Sequence, residues 1–581
     1  MIKNISDSFN TTAFEYEAYA LKSSLIYVAG LISGVVTVGW LGTIYLRRWN
    51  ESTVEMIGRN LLHIPYVKRK FDTKVKEVGE KEAAHVRMEW EEIKQNIAEA
   101  LGRNVDNEVF KFRDEGYPVD EVLKIFDAIN RIVRKNIANK QFSGAIYPNE
   151  LKEERIAYPA RVQGQSDLAY LFTVIQSQTP LWNTLHKEFS PVRFLLYWEK
   201  EMVASMLGAL PHTTVGFDTT GGTASLMQAV RMYRERGREE RGIGPGCGVM
   251  IAPKSIHAAE LKGGKAYDVT FVLIDCDETG AADIDKMKEA IEKHKTNLLA
   301  VFASAPCYGT GTVDPIKEII ACANAYKVPV HIDACLRGFV RGTNFFKDGA
   351  SSVSIDPHKY GEAPKGSSLL LVKNELAKYS VYAFPDWTCV YGTPKDEGSQ
   401  ACSTHICAFT ALLYYGREAY LKTADRIEEG KNRLVSYLKQ IDDIEVVGRS
   451  DLNVVAFRCK IKEGATYALV HEMSKRNWEL NALKDNMAHL CLTKRILDTE
   501  GCFEHFTIAL NESIRAVRQL AEKGIKFPGD AGLYCSMGEA LMPDVKNLPF
   551  TKYIENKLLG KKGAEETVKA HIVSQLNPAA A

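Results

Sequence analysis

"VPVHIDACLRGFVRGTNFFKDGASSVSIDPHKYG", residues 328–361, holds two short β-branched runs, and a reactive group stands just past each. The first run, 328–332, is closed by Asp333; the second, 352–355, is followed by His358 and Lys359. Neither alternates apolar with polar residues, so each reads as a strand buried on both faces. The same texture recurs in "CGVMIA" (247–252), "VTFVLI" (269–274), "LLAVFAS" (298–304) and "SSLLLV" (367–372), with helical periods at 284–295 and 315–326. Buried strands separated by helices predict an α/β architecture built on a largely parallel sheet. In such sheets the chemistry gathers at the carboxyl ends of the strands, where Asp333 and Lys359 fall.

Two further stretches belong with them. "FDTTGGTASLMQAVRMYRER" (217–236) opens a helix with apolar face Leu226, Met227, Val230 and Tyr233. Its Gly221-Gly222-Thr223 turn lets backbone amides approach an anion such as a phosphate. "APKSIHAAELK" (252–262) sets His257 between a strand and a helix. Taken singly, each feature has a commoner explanation: a capped turn, a loop histidine, a helix-capping aspartate, a solvated lysine. Together, and in this order, they match the parts of pyridoxal 5'-phosphate: its phosphate, its flat ring, its ring nitrogen and its aldehyde. A lysine in a partly dry site can offer a free amine for a Schiff base, and a carboxylate on the ring nitrogen keeps that nitrogen protonated.

The chain resembles the sphingosine-1-phosphate lyase family from about Gly144 to its end. The resemblance is carried by "SGAIY" (143–147), "NTLH" (183–186), "TTGGT" (219–223), "APKSIH" (252–257), "HIDAC" (331–335), "HKYG" (358–361) and "APKGSS" (363–368). It implies fold type I of the pyridoxal-phosphate enzymes: a large domain with a mostly parallel seven-stranded sheet flanked by helices, and a smaller α+β C-terminal domain. It further implies a homodimer that cleaves phosphorylated sphingoid bases by a retro-aldol reaction to a long-chain aldehyde and phosphoethanolamine. Lys359 is then the Schiff-base lysine, with His358 beside it and Asp333 on the ring nitrogen. Gly221, Gly222, Thr223 and His257 complete the cofactor set. Tyr147 and Lys365 join the catalytic and phosphate-contacting residues, and His186 lies near the substrate phosphate. Four positions depart from the family pattern: Ala224, Arg337, Glu362 and Gln400. Glu362 stands between the two lysines, where a carboxylate turned inward would repel a phosphate by roughly a kcal/mol or more. Two alternatives remain at this point, a pyridoxal-phosphate amino-acid decarboxylase and a non-catalytic relative serving as membrane scaffold or partner subunit.

The rest of the chain frames that body. It has 581 residues, 45% hydrophobic and 25% charged, with a net charge of +1 that gives no sign of a nucleic-acid partner. Its 12 cysteines show no CxxC pairing, which suits reduced thiols in a cytosolic setting, and no metal site is expected. Residues 23–46 carry no charge. As a helix they would reach about 36 Å, enough to cross a bilayer. The basic excess follows that run at Arg47, Arg48, Arg59, Lys68, Arg69 and Lys70. A short lumenal N-terminus (1–22), a single transmembrane helix (23–46) and a cytosolic body are therefore expected. The endoplasmic reticulum is the membrane the family implies. The predicted divisions continue with a basic helical connector (47–116), an N-terminal segment of the catalytic body (117–200), a cofactor-binding domain (201–420) and a small domain (421–581). Within the last, "IEVVGRSDLNVVAFRCKI" (444–461) reads as a hairpin.

Overall fold

The structure, a computed structural model, describes residues 65–137, 159–177, 190–339, 343–384, 391–398 and 402–527. Four helices come first: α1 (Pro65–Leu101), α2 (Val119–Ile137), α3 (Asp167–Ser177) and α4 (Ser190–Met206). Among the described residues no helix is long and apolar enough to cross a membrane, and the charge-free run 23–46 lies outside them.

The six apolar runs all form strands. They are β2 (Val249–Pro253), β3 (Thr270–Ile274), β4 (Leu298–Ser304), β5 (Val330–Asp333), β6 (Ser352–Ile355) and β7 (Ser368–Lys373), joined by β1 (Thr214–Thr219) in a seven-stranded sheet ordered β1-β7-β6-β5-β4-β2-β3. β7 runs antiparallel to both its neighbours while the other pairings are parallel, so the sheet is mixed through one reversed strand. The helices α5 (Gly222–Arg241), α6 (Ala258–Tyr267), α7 (Ile284–His294) and α8 (Ile316–Ala325) follow strands β1 to β4 in turn, as a layered α/β sheet requires. Successive residues of β4 serve opposite faces. Val301 and Ala303 pack with α7 and α8, while Ala300 and Phe302 pack with Val230 and Tyr233 of α5.

The long helix α9 (Cys402–Leu438) breaks at Gly416, whose φ of 66° lies in the left-handed region. There the segment before α2 straps onto it through backbone bonds from Tyr117 to Leu413 (2.7 Å), Arg417 to Arg113 (2.8 Å) and Glu418 to Asp114 (2.9 Å). The approach leaves no room for a side chain: a Cβ at Gly116 would stand 1.9 Å from the Tyr414 carbonyl oxygen. Gly116→Ala is expected to destabilise the body by about 2–4 kcal/mol, read as a lower denaturant midpoint at unchanged slope. Through this strap Ile93 and Ile97 of α1 join the same core as Phe409 and Leu412 of α9.

A short antiparallel ribbon of β8 (Tyr382–Phe384) and β9 (Tyr391–Thr393) precedes α9, and beyond α9 β10 (Ile444–Val447) and β11 (Val454–Cys459) pair antiparallel as the expected hairpin. With β12 (Asn481–Leu483) and β13 (Met487–Cys491) they form a four-stranded antiparallel sheet. Helices α10 (Ala465–Ser474) and α11 (Cys502–Glu522) close a second core on that sheet around Phe457, Leu469 and Phe506. This α+β unit presents β13 towards the carboxyl edge of the large sheet: Tyr360 donates to the Leu492 carbonyl at 2.7 Å, and His489 bonds the Gly309 carbonyl at 2.9 Å.

Candidate active site

The site is built where β1, β5 and β6 end. β1 stops at Thr219, and α5 begins at Gly222 with no side-chain cap on its first amides. A 20-residue helix with an uncapped start presents free N–H groups and the positive end of its dipole to an anion. A Cβ at Gly221 would meet nothing within 4 Å, so the turn opens on free space. A Cβ at Gly222 would sit 2.7 Å from Asp356 Oδ2 and 3.1 Å from Cys335 Sγ, so the glycine is needed for close approach to the β6 edge. Thr223 is exposed at the same turn. Thr219 Oγ1, Ser225 Oγ and Ser368 Oγ are linked at 2.7 and 2.8 Å, which pins the turn to β7.

Lys359 follows β6 by one turn. Its amine lies 2.9 Å from Asp356 Oδ2, an ion pair in which the carboxylate is 1% exposed and the lysine side chain 37%. Neither Asp356 oxygen receives a well-aimed hydrogen bond, and His358 Nε2 is a further 3.7 Å neighbour. Burial opposes the charge on Lys359, but Cys335, Asp356 and Asp333 together outweigh it and push the amine's pKa up. Asp333 is thus near enough to act on Lys359 electrostatically. It is buried, and its Oδ1 accepts from the Cys335 backbone N–H at 2.9 Å and from the Ser354 hydroxyl at 3.4 Å.

His257 has a structural task as well as a position. Its Nδ1 accepts from the Ala259 N–H at 3.2 Å and so caps α6, with the ring edge-on to Tyr308 at 6.2 Å. His358 is fixed by a hydrogen bond between Nδ1 and the Ser367 carbonyl. Lys365 is exposed on the loop before β7 and makes no ion pair with the described residues. Glu362 is turned away from the anion site. Its Oε2 accepts from the Tyr415 hydroxyl at 2.5 Å and its Oε1 lies 3.5 Å from Lys494 Nζ, so the expected repulsion is answered by a cation and a phenol. Tyr147, His186 and Gln400 lie outside the described residues.

Three groups escaped the sequence reading. Asp356 stands three residues before Lys359, one helical turn away, and that spacing was its only visible sign. Cys491 on β13 has its thiol pushed up to about 11 by burial, with Lys359 pulling the other way, so the small domain also reaches the site. Glu260 is 1% exposed, and its Oε2 has no hydrogen-bond partner. Burial, and then the charge of Asp333, push its pKa well above the usual carboxyl range. The folded chain therefore keeps this proton where the unfolded chain has released it, and stability drains away as pH climbs above the ordinary carboxyl pKa. Glu260→Met, which removes the unsatisfied acid, is expected to stabilise the fold by about 1–3 kcal/mol near neutrality. The gain in Tm over the parent chain should shrink steadily towards pH 4.

The donor set fits pyridoxal phosphate. An uncapped helix start opens on space for the phosphate, a half-buried imidazole follows the carboxyl end of β2, a strand-end carboxylate keeps one oxygen for the ring nitrogen, and an amine stands within that field. Residues 201–460 match the family model described as the pyridoxal-dependent decarboxylase conserved domain. Over 398 residues the chain is 31% identical to a sphingosine-1-phosphate lyase of Drosophila melanogaster, a match covering 65% of this chain and 68% of the relative. The corresponding lyase of Arabidopsis thaliana is 31% identical over 385 residues, covering 62% and 68%. Among solved structures, a sphingosine-1-phosphate lyase of Burkholderia pseudomallei aligns at a TM-score of 0.56 and 25% identity, over 71% of this chain and 94% of that one.

Proposed function

The chain belongs to the sphingosine-1-phosphate lyase family, and from that membership we propose that it cleaves phosphorylated sphingoid bases between C2 and C3, giving a long-chain aldehyde and phosphoethanolamine. The observation that carries the reading is the Lys359–Asp356 ion pair at the strand ends, with Asp333 acting on the same amine and the open start of α5 above it. Pyridoxal phosphate, when bound, supplies a protonated ring that takes up the electron pair left on C2 as the bond breaks. The α5 amides with Gly221, Gly222 and Thr223 would hold its phosphate, and His257 would flank its ring. Asp333 holds the proton on the ring nitrogen, since a buried carboxylate stabilises that charge far better than water would.

Lys359 is the amine that would hold the cofactor through its aldehyde, and the substrate amine would take that place. Released, it carries its proton beside Asp356 and is the group placed to return a proton to C2. Lys365, with Tyr147 and His186, takes the dianionic substrate phosphate; the exposure of Lys365 and its freedom from the described carboxylates support that role. A general base at the site would take the C3 hydroxyl proton as the C–C bond breaks, leaving a neutral aldehyde, and the proton returned to C2 balances the one removed. Residues 23–46 anchor the chain in the endoplasmic reticulum membrane with the body on the cytosolic side, and two chains form the working dimer. An uncharged stretch of spanning length with a basic flank supports the anchor, and holding the site beside the bilayer raises the local concentration of a one-tailed lipid substrate.

The test is a product assay with the intact chain, pyridoxal phosphate and a phosphorylated sphingoid base, with glutamate and an aromatic amino acid offered in parallel. Long-chain aldehyde and phosphoethanolamine in equal amounts support the reading. Carbon dioxide from an amino acid, or bound cofactor with no aldehyde at any chain length, rejects it.

A further inference from the structure

Next to Asp333, a line of buried polar side chains runs from α5 across β6 and β5 to the end of β5. The Tyr233 hydroxyl lies 2.5 Å from Ser352 Oγ, Ser352 Oγ is 2.7 Å from His331 Nδ1, His331 Nε2 is 3.2 Å from Ser354 Oγ, and Ser354 Oγ is 3.4 Å from Asp333 Oδ1. Tyr233, Ser352, His331 and Ser354 are all fully buried, so the line is dry from end to end. None of these four side chains has a task in the reaction as described above.

The line has one direction. Asp333, as an ionised carboxylate, can only accept, so Ser354 must spend its single hydroxyl proton on Oδ1. Ser354 Oγ then accepts from His331, which therefore carries its proton on Nε2, and also from the Cys335 thiol at 3.4 Å. His331 Nδ1 is left to accept from Ser352, and Ser352 accepts from the Tyr233 phenol. Burial pulls the His331 pKa down to about 3, so the ring is neutral at working pH and has one N–H to place. Burial likewise keeps the Tyr233 phenol protonated. Every donor in the line points at Asp333.

We propose that His331 is a positioning residue for the cofactor's ring nitrogen: it fixes Ser354 as a hydrogen-bond donor to Asp333 Oδ1, and Tyr233 and Ser352 fix His331 in turn. This rests on the reading of Asp333 as the ring-nitrogen partner. Ser354 and the Cys335 N–H together occupy Oδ1, which stabilises the ionised carboxylate and keeps the shared proton on nitrogen instead of oxygen. Unbroken, the line also ties the cofactor's nitrogen end to α5, the helix whose start receives the phosphate.

The experiment uses the holoenzyme reconstituted with cofactor labelled at the ring nitrogen, followed by NMR across pH, with kcat and KM for aldehyde release measured alongside. Ser354→Ala removes the last donor and costs only one small side chain, so it carries the test. The nitrogen resonance should move towards its unprotonated position and kcat should fall by about tenfold with KM little changed, as for one lost hydrogen bond to a charged group. His331→Leu should do the same. His331→Gln, which keeps a neutral N–H for Ser354, should restore most of both readouts, and in the cofactor-free parent chain the His331 ring should carry its proton on Nε2. A resonance that stays put in folded, cofactor-loaded Ser354→Ala, or a His331→Gln no better than His331→Leu, overturns the proposal. Failure of the parent chain to bind cofactor overturns instead the lyase reading on which it rests.

Discussion

Lys359→Ala should abolish aldehyde release in practice, lowering kcat by about a thousandfold or more while KM stays within a few-fold. The size follows from what one side chain does. In the proposed mechanism Lys359 supplies the amine that engages the aldehyde and the proton returned to C2, and a positioned proton donor alone contributes about a hundred- to ten-thousandfold. The substrate phosphate, on the same reading, is assigned to Lys365 and its companions, which the change leaves alone. Lys359→Ala also leaves Asp356 without its ion-pair partner while that carboxylate remains 1% exposed. Breaking a buried pair from one side costs about 3–5 kcal/mol in general, and less here because the amine is partly exposed. Lys359→Met with Asp356→Asn removes both charges together, and is the control that separates loss of chemistry from loss of fold. Turnover within about tenfold of the parent for the single variant would reject Lys359 as the amine of the reaction.

How far the sequence revealed all this depended on whether a residue's task left a mark in its neighbours. Six strands were legible because unbroken apolar runs have few other uses, although β3, at the sheet edge, is exposed or half-buried from Thr270 to Leu273 and not buried on both faces. Asp333 and Lys359 were legible because each follows such a run. The direction of β7 was not, since an apolar run reads the same either way and only the short loop from Gly361 to Ser367 forces the chain to return antiparallel. β1 was passed over as a strand because "TVGFDT" mixes glycine and polar residues, although its last residue opens the phosphate turn. Asp356 was hidden in an Asp-Pro pair that looks like turn chemistry. Glu260 was hidden more thoroughly. An acidic residue in the first turn of a helix is the ordinary partner of the helix dipole, and nothing local says that α6 buries it towards Asp333. His331 sat in full view inside a motif whose aspartate drew the attention. Its partners Ser352 and Ser354 come from the neighbouring strand, so only the register of β5 on β6 brings them together.

Asp333→Asn is the other change expected to act on a large scale, lowering kcat by roughly a hundred- to five-thousandfold. Asparagine keeps the shape and can still accept from Cys335 N–H and Ser354 at the same oxygen, so strand β5 should hold its place. What disappears is the negative charge that, in the proposed mechanism, favours a proton on the ring nitrogen. Losing one member of a buried ion pair costs about 3–5 kcal/mol, which at 1.36 kcal/mol per tenfold gives that range. The same change relieves Glu260, because Asp333 is the second reason, after burial, that its carboxyl clings to a proton. Burial remains, so Glu260 stays a neutral acid and cannot take over as the missing charge. Asp333→Asn combined with Glu260→Gln should therefore be as slow as Asp333→Asn alone. Its pH–rate profile should follow the single variant's throughout. A double variant slower by a further tenfold would mean that Glu260 had been carrying the charge after all. An Asp333→Asn enzyme with near-parent kcat would show that the ring nitrogen is held by some other group, and would remove the reason for the polar line next to Asp333.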